Sequence, residues 1–504
     1  MKTNTIGKCI LVLICLFQSY AMKVQGVTIN NVAWGLNSAL GDQINVITDL
    51  TITGQMNAND VGALRSMANL TNLDISGVTM VAGGAFWLSK AISVTNNQIP
   101  EYMFFSLPKL QTVILPTNVT LISNQAFQEC TGLFSVTLGP NITSIGNFCF
   151  GNCPLLNSIT LPSKLTTIGT RAFWHCSGIT SMTIPASVNS IGDGAFTYCS
   201  SLREFIVADA NLTYASVDGV LLSKNKLTLV AYPNSKSSYY EVPSTVSTIK
   251  SFAFESCDGL SSVVIGNSVT TVGEGAFYNC TGLISAIIGT SVASLPKDAF
   301  YNCNQLTAIA IPNSVSSIGW GAFGYCEGLT SLDLGTGLTY IDIYAFNNCS
   351  SLTTVTIPSG VTTTGDGAFA SCTGLTSIHS RPAVPPTATN NTFSLVNKTT
   401  CKLYVPKGYS ASYRSATGWS SFTYIIEEAG VAVPEFVADN IKVYTESNAI
   451  IVEGASVGDE VLVYNEAGAL VQIFRVTDAV SRIMVPENHI YLVKVTSKTF
   501  KVAL

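Results

Sequence analysis

The chain has 504 residues, 47% of them hydrophobic and only 11% charged, and its 25 basic against 30 acidic side chains give a net charge of −5. So few cations leave no basic face for nucleic acid, and a chain this apolar is not an intrinsically disordered one. Beyond the first 20 residues no apolar run reaches the roughly 18 residues that cross a bilayer, so no transmembrane segment is expected and the apolar content belongs to a folded interior.

At the N-terminus, Lys2 and Lys8 precede the apolar run from Cys9 to Phe17. Ser19 and Ala21 then stand at −3 and −1 from a cut after Ala21, and Val24 and Gly26 offer a second cut. The pattern predicts a secretory signal peptide over 1–26, hence a secreted or cell-surface protein. Losing that segment removes three lysines and no acid, which moves the net charge to −8.

From 101 to 378 a period of 23 residues organises the chain. Phenylalanines recur at 104, 127, 150, 173 and 196, and again at 254, 277, 300, 323, 346 and 369. The step of 58 between Phe196 and Phe254 places an insertion of about 35 residues at 205–240. Around each Phe the offsets are kept: a small residue before it, Cys at +3, an aliphatic residue at +6, apolar residues at +9 and +11, and Pro or Gly eleven before the next Phe. A 23-residue unit buries too little to fold alone, so equivalent side chains must stack from coil to coil in one continuous core. Alternation at +9 and +11 predicts a short strand with Ser or Thr outward, and a parallel sheet down one side of a solenoid. Eleven coils at about 4.8 Å make a rod on the order of 50 Å long.

The unit running from Ile168 to Pro185 reads Ile-Gly-x-x-Ala-Phe-x-x-Cys-x-x-Leu-x-x-x-x-Ile-Pro with small variations. This unit resembles that of the BspA-like leucine-rich-repeat proteins, over about 100–430. The resemblance implies a repeat solenoid, a right-handed superhelix with a short-stranded parallel sheet, in an extracellular bacterial surface or secreted protein, some of whose relatives bind host matrix proteins or cells. Within it, Leu50–Gly54 and Leu70–Ser76 look like degenerate first repeats in a cap region over 27–100. The segment Thr400–Pro406 through Gly418–Phe422 is similar to the end unit of that class and gives a cap over 379–430.

Fourteen cysteines in an exported chain ordinarily signal disulfides. Ten of them, from Cys130 to Cys372, share one slot of the repeat. Stacked in register they would lie about 4.8 Å apart with parallel Cβ directions, whereas a bridge wants convergent Cβ atoms about 3.8 Å apart, so a ladder of buried free thiols is expected. Zinc is not expected either, because a spacing of 23 is no ligand loop and His175 beside Cys176 is a single pair. Cys149 takes an Ala slot and Cys401 stands alone.

No catalytic residue and no cofactor are expected. The nearest approach to a general acid–base pair is Glu274 with Asp298 on adjacent units, better read as solvated turn residues. His175, His379 and His489 fall in separate repeats or regions. Binding is the expectation that remains. Trp174, Tyr198, Tyr278, Tyr301 and Tyr325 occupy the two positions between the Phe and Cys slots, with Trp320 and Tyr344 just upstream of their Phe. Aromatic side chains amid few charges suit protein or glycan contacts, and the competing reading is that they shield the core between turns. The sheet face, including Ser135, Thr137, Ser158, Thr160, Ser181 and Thr183, is flat and weakly charged.

From 431 to 504 the chain changes character, with 15 charged residues in 74 positions against 24 in the 278 from 101 to 378. Short alternating runs at 441–444, 449–453, 460–464, 470–476 and 490–495 predict a small all-β sandwich. Glu460-Val-Leu-Val-Tyr-Asn-Glu-Ala-Gly468, Ile490–Val495 and Phe500–Val502 resemble the C-terminal sorting modules of type IX bacterial secretion, which implies anchoring at the outer surface. A purely stabilising or adhesive β-domain is the alternative. Taken together, the sequence predicts a non-catalytic extracellular repeat protein that recognises a protein or glycan ligand. A surface spacer without a ligand and an accessory module of a hydrolase system are its rivals.

Overall fold

The structure, a computed structural model, describes residues 26–87, 91–428, 441–446, 449–455, 459–465, 470–476, 480–484, 490–495 and 498–503. The expected signal peptide, Gly26 excepted, and His489 lie outside the described residues.

Each coil of the repeat region is built from two short strands and a Phe-centred turn. The first strand begins eight residues after the Phe, as in Thr112–Ile114 and Ser135–Thr137, and pairs in parallel with its neighbour one period away, Val113 beside Val136. Val136 points inward and is buried, while Thr137 is exposed, which is the expected alternation. A second parallel ladder, not anticipated from the sequence, joins two residues per coil: Ser144–Ile145 to Thr167–Ile168 to Ser190–Ile191. Its signal is a residue pair five to six positions before the Phe whose second member is usually aliphatic, Ser/Thr–Ile before Phe150, Phe173, Phe196, Phe254 and Phe323. Paired residues are 23 apart in both ladders, so each side chain stacks on its own copy in the next coil.

The Phe column follows from that register. Phe277, Phe300, Phe323 and Phe346 are fully buried and stack with ring centroids 4.8 to 5.3 Å apart and planes within 4° of parallel. The turn around each Phe is itself a ladder, with the Phe127 amide donating to the Cys149 carbonyl at 2.8 Å and the Phe150 amide to that of Ala172 at 2.8 Å. Residues two before and two after the Phe take left-handed backbone, as at Gln125 and Glu129 or Asp298 and Asn302. That conformation costs an ordinary residue about 1–2 kcal/mol and suits Gly and Asn, which explains Gly194, Gly275, Gly321 and Gly367 at the first position and Asn152, Asn279, Asn302 and Asn348 at the second. The Cys column has a second use: Cys303 Sγ donates to the Phe277 carbonyl of the preceding coil at 3.2 Å and Cys326 Sγ to that of Phe300 at 3.2 Å. Each thiol of this column supplies a hydrogen bond inside an apolar core. All twelve cysteines from Cys130 to Cys401 are free and buried.

Ahead of the repeats, strands Val27–Asn31, Asp49–Met56 and Asn72–Met80 extend the same parallel sheet, with Leu50 beside Leu73. Helix Ala58–Arg65 is closed by a capping box in which Asn57 accepts from the Asp60 amide and Asp60 from the Asn57 amide. The buried Asp60 carboxylate also accepts from the backbone of Trp34 and Leu36 at 3.0 Å, tying the short helix Leu36–Leu40 to helix Ala58–Arg65.

The insertion is a partition. Strands Tyr214–Val217, Val220–Ser223 and Thr228–Ala231 form antiparallel pairs, and the last continues in parallel into Thr248–Ile249. Successive side chains of a strand face opposite ways, so Val220 and Leu222 join the core that runs on to Ile425, whereas Leu221 joins the core that begins at Leu36. One solenoid therefore holds two apolar cores back to back. Tyr232 restarts the aromatic column by stacking on Phe254 at 4.9 Å. At the far end Phe393 extends the column and Trp419 and Phe422 close it edge-on, at 4.9 and 5.4 Å. Their polar neighbours are satisfied: Trp419 Nε1 donates to the Pro386 carbonyl at 2.8 Å and the Tyr413 hydroxyl to that of Pro382 at 2.7 Å.

The C-terminal strands form a small, separate pair of sheets. Lys442–Glu446, Ala449–Glu453 and Val480–Met484 make one, and Leu470–Arg475, Glu460–Asn465, Ile490–Val495 and Lys498–Ala503 the other, all antiparallel. Ile450 and Val452 from the first meet Val461, Val463, Val493 and Val495 from the second in a shared core.

Candidate functional site

The seven aromatic residues singled out from the sequence all lie on the turn face, where left-handed residues lift side chains out of the coil. They fall into three groups. Trp174 meets Tyr198 edge-on at 5.7 Å and Phe148 at 6.4 Å. Tyr278 and Tyr301 stack at 5.1 Å with planes 6° apart, and Tyr325 continues at 5.3 Å but tilted by 53°. The tilt has a local cause: Tyr278 and Tyr301 follow their Phe directly, whereas Tyr325 stands one position later on a left-handed residue. Gly324 fills the vacated place, and a Cβ there would come within 3.1 Å of the Tyr301 ring. Trp320 and Tyr344 form the third group, edge-on at 6.0 Å. Tyr325, Trp320 and Tyr344 are exposed by 37 to 41%, and the other four are half-buried.

Burial raises the Tyr198, Tyr278 and Tyr301 phenols above the ordinary tyrosine value, so these hydroxyls are neutral donors at physiological pH. Beside the Tyr278–Tyr301 stack runs a second ladder that sequence reasoning missed. The Asn302 amide donates to Asn279 at 2.6 Å, and the Asn279 amide to Ser256 at 3.0 Å. Its trace in the sequence is the recurrence of Asn two after the Phe, a position the left-handed backbone itself favours.

Between the first and second groups lies a charged joint that spans the insertion. Arg171 reaches across Gly194 to pair with the buried Glu255 at 3.1 Å and rests over the Phe252 ring at 4.9 Å. Lys250 binds Asp193 at 2.9 Å and the Ile191 carbonyl at 2.7 Å. Desolvation raises the Glu255 carboxyl above its usual range, and Arg171 offsets part of that rise.

The candidates for other chemistry are each absorbed by the scaffold. Glu274 and Asp298 do not face one another across a cleft, because Lys297 lies between them, 2.7 and 3.7 Å away, and also sits over Trp320 at 5.8 Å. His175 bonds Asn152 at 2.8 Å while the neighbouring Cys176 thiol points into the core toward the Phe150 carbonyl at 3.0 Å, so the two do not converge on a metal. His379 stacks on Tyr404 at 4.6 Å and bonds Glu428 at 2.8 Å, which also holds Arg381, as part of the cap. Among the described residues no group of three His, Cys, Asp or Glu is placed to hold a metal ion. On the sheet face the ladder narrows to a single bridge between Ser135 and Ser158, and a shallow groove of about 390 Å³ opens beside Thr137, Thr160 and Pro162.

A family profile described as "BspA type Leucine rich repeat region (6 copies)" matches residues 97–217, 226–350 and 293–404, more than half of the chain. The protein belongs to this bacterial leucine-rich-repeat family, whose solenoid fold is generally associated with protein–protein recognition. A search of curated proteins gives no significant match. Among solved structures, the chain is similar to a leucine-rich cell surface protein from Faecalibacterium prausnitzii, at 28% identity and a TM-score of 0.49, over 66% of this chain and 79% of that one. A leucine-rich repeat protein from Eubacterium ventriosum shares 24% identity over 57% of this chain and 95% of its own, with a TM-score of 0.45. The pneumococcal vaccine antigen PcpA shares 19% over 76% and 80%, with a TM-score of 0.49. No helix among the described residues is long and apolar enough to cross a membrane.

Proposed function

We propose that the protein is displayed outside the cell, after removal of residues 1–26, and binds a protein ligand through the aromatic ridge of its turn face: Trp174 and Tyr198, then Tyr278, Tyr301 and Tyr325, with Trp320 and Tyr344. The observation that carries this reading is the arrangement of the tyrosines. Tyr278 and Tyr301 cover each other's faces, so a ligand meets ring edges, hydroxyls and the adjoining Asn279–Asn302 ladder. A sugar platform needs an open ring face; edges, hydroxyls and amides suit the backbone and apolar side chains of a protein. Tyr and Trp also dominate the energetics of protein interfaces. The C-terminal module serves in this proposal as the region for sorting or anchoring at the surface.

The test is binding of the full chain to a panel of matrix proteins, glycans and cell-wall fractions. The expected outcome is saturable retention of a protein, weakened about 100-fold or more when Tyr278, Tyr301 and Tyr325 are all replaced by alanine. Unchanged retention by that variant removes the ridge from the proposal, and the absence of any saturable ligand favours a spacer.

A further inference from the structure

Three consecutive coils depart from the repeat on the opposite, sheet-bearing side. In several coils both outward positions of the first strand bear hydroxyls, as in Ser135 and Thr137, Ser181 and Thr183, or Thr354 and Thr356, and where an apolar residue stands there on another coil, as at Ile114 or Ile206, it is exposed by 38 or 47%. In strands Ser262–Val264, Ser285–Ile287 and Ala308–Ala310 the outward positions include Val264, Ile287, Ala308 and Ala310. The outward Ser285 and Ala308 are buried, with 6 and 8% of their surface exposed, whereas Ser181 and Thr354 in equivalent positions are exposed. Something covers the sheet face at these coils.

The cover is the C-terminal module. In strand Glu460–Asn465, Val461 and Val463 point into the module's own core, so Glu460, Leu462 and Tyr464 point out of it. Leu492 pairs with Tyr464, and Lys494 with Leu462, on the adjacent strand. Despite facing outward, Tyr464 and Leu492 are each only 8% exposed. Glu460, Leu462, Tyr464 and Lys494 line one wall of a cavity of about 500 Å³ whose other wall is the solenoid sheet at Ser285–Ile287, Ala308–Ala310 and Asp333. The charges match as well: burial pulls the Lys494 ammonium below its usual value, and the Asp333 carboxylate acts in the opposite direction.

We propose that the C-terminal module is an intramolecular plug, docked through Leu462, Tyr464 and Lys494 onto the solenoid sheet from Ser285 to Asp333, and that it shields there a second, more apolar binding face. This inference is independent of the aromatic ridge, which lies on the turn side. A ligand for the sheet face reaches these coils only when the module lifts away, so a partner that binds the lifted module more tightly than the docked one also opens the face.

The test uses the full chain and a thiol-reactive maleimide. The native thiols are buried, so Ser285→Cys reports on the covered face and Ser135→Cys, its counterpart on an uncovered coil, gives the reference rate. The expected result is that Ser285→Cys reacts at least about tenfold more slowly than the reference, because labelling waits for a local opening. Adding Leu462→Asp or Lys494→Glu should bring it to the reference rate, and adding Asp333→Lys to Lys494→Glu should restore the protection. Labelling of Ser285→Cys at the reference rate in the otherwise native chain overturns the proposal. Protection that survives both Leu462→Asp and Lys494→Glu overturns it as well. Protection that disappears on dilution assigns the cover to a second copy and contradicts the intramolecular plug.

Discussion

Replacing Phe300 with alanine lowers the unfolding free energy by about 3–5 kcal/mol in a urea titration. Phe300 is fully buried, and its ring lies between those of Phe277 at 4.8 Å and Phe323 at 5.3 Å, almost parallel to both. Removing it leaves a void that neighbouring coils cannot close, because both backbone ladders fix the separation between coils. The loss belongs to the second apolar core, between Val220 and Ile425, and Phe150→Ala should act equally on the first. In a stacked array each unit is stabilised chiefly by its two neighbours. A loss below about 1 kcal/mol for Phe300→Ala, the range of a surface change, contradicts the column.

The second large effect is expected at the joint across the insertion. Arg171→Met strands the Glu255 carboxylate, which is only 3% exposed, and should cost about 3–5 kcal/mol, the usual result of breaking one side of a buried pair. Arg171→Met combined with Glu255→Gln should cost less, since no unpaired charge remains. The pH dependence separates this cause from mere loss of packing. Burial raises the Glu255 carboxyl above its ordinary value of 4.5 in the folded protein. A folded-state pKa above the unfolded one means that the folded chain holds the proton more tightly, so this group's contribution to stability falls as pH rises through the interval above 4.5. Without Arg171 the carboxyl rises further and the interval widens. Urea midpoints of Arg171→Met should therefore recover toward those of the native chain between pH 8 and pH 5, and those of the double variant should not. Equal deficits for the single variant at both pH values contradict a stranded carboxylate.

What the sequence made legible is what translation along the rod enforces. Phe, Cys and the aliphatic slots must repeat because each side chain stacks on its own copy, and Val136 and Thr137 alternate because a half-buried strand has two faces. Contacts that do not obey the period were hidden. Arg171 and Glu255 are 84 residues apart and meet only because the insertion forms a thin partition. Tyr232 takes the Phe slot with an unlike residue in a coil whose spacing is 22. The Ser/Thr–Ile pairs of the second ladder were visible as residues, but two-residue strands carry no alternation to read. At the ridge, the grouping of Tyr278 with Tyr301 was legible from their shared slot. The tilt of Tyr325 was not, because it depends on the left-handed backbone at that position. The Cys slot was legible as a column of thiols, while its hydrogen bonds to Phe carbonyls required coordinates.

The stacking of identical slots is tested most directly by counting reactive thiols. Burial pushes the Cys130, Cys199 and Cys326 thiols up to about 12, and Cys303 and Cys349 are likewise raised. Reaction requires an exposed thiolate. In the native chain at pH 8 a disulfide-exchange reagent should find none of the twelve cysteines from Cys130 to Cys401; in 6 M guanidinium, without reductant, it should find all of them. Rapid titration of several thiols in the native state, or their absence from the unfolded count because they are paired as disulfides, would contradict a single apolar column running through successive coils.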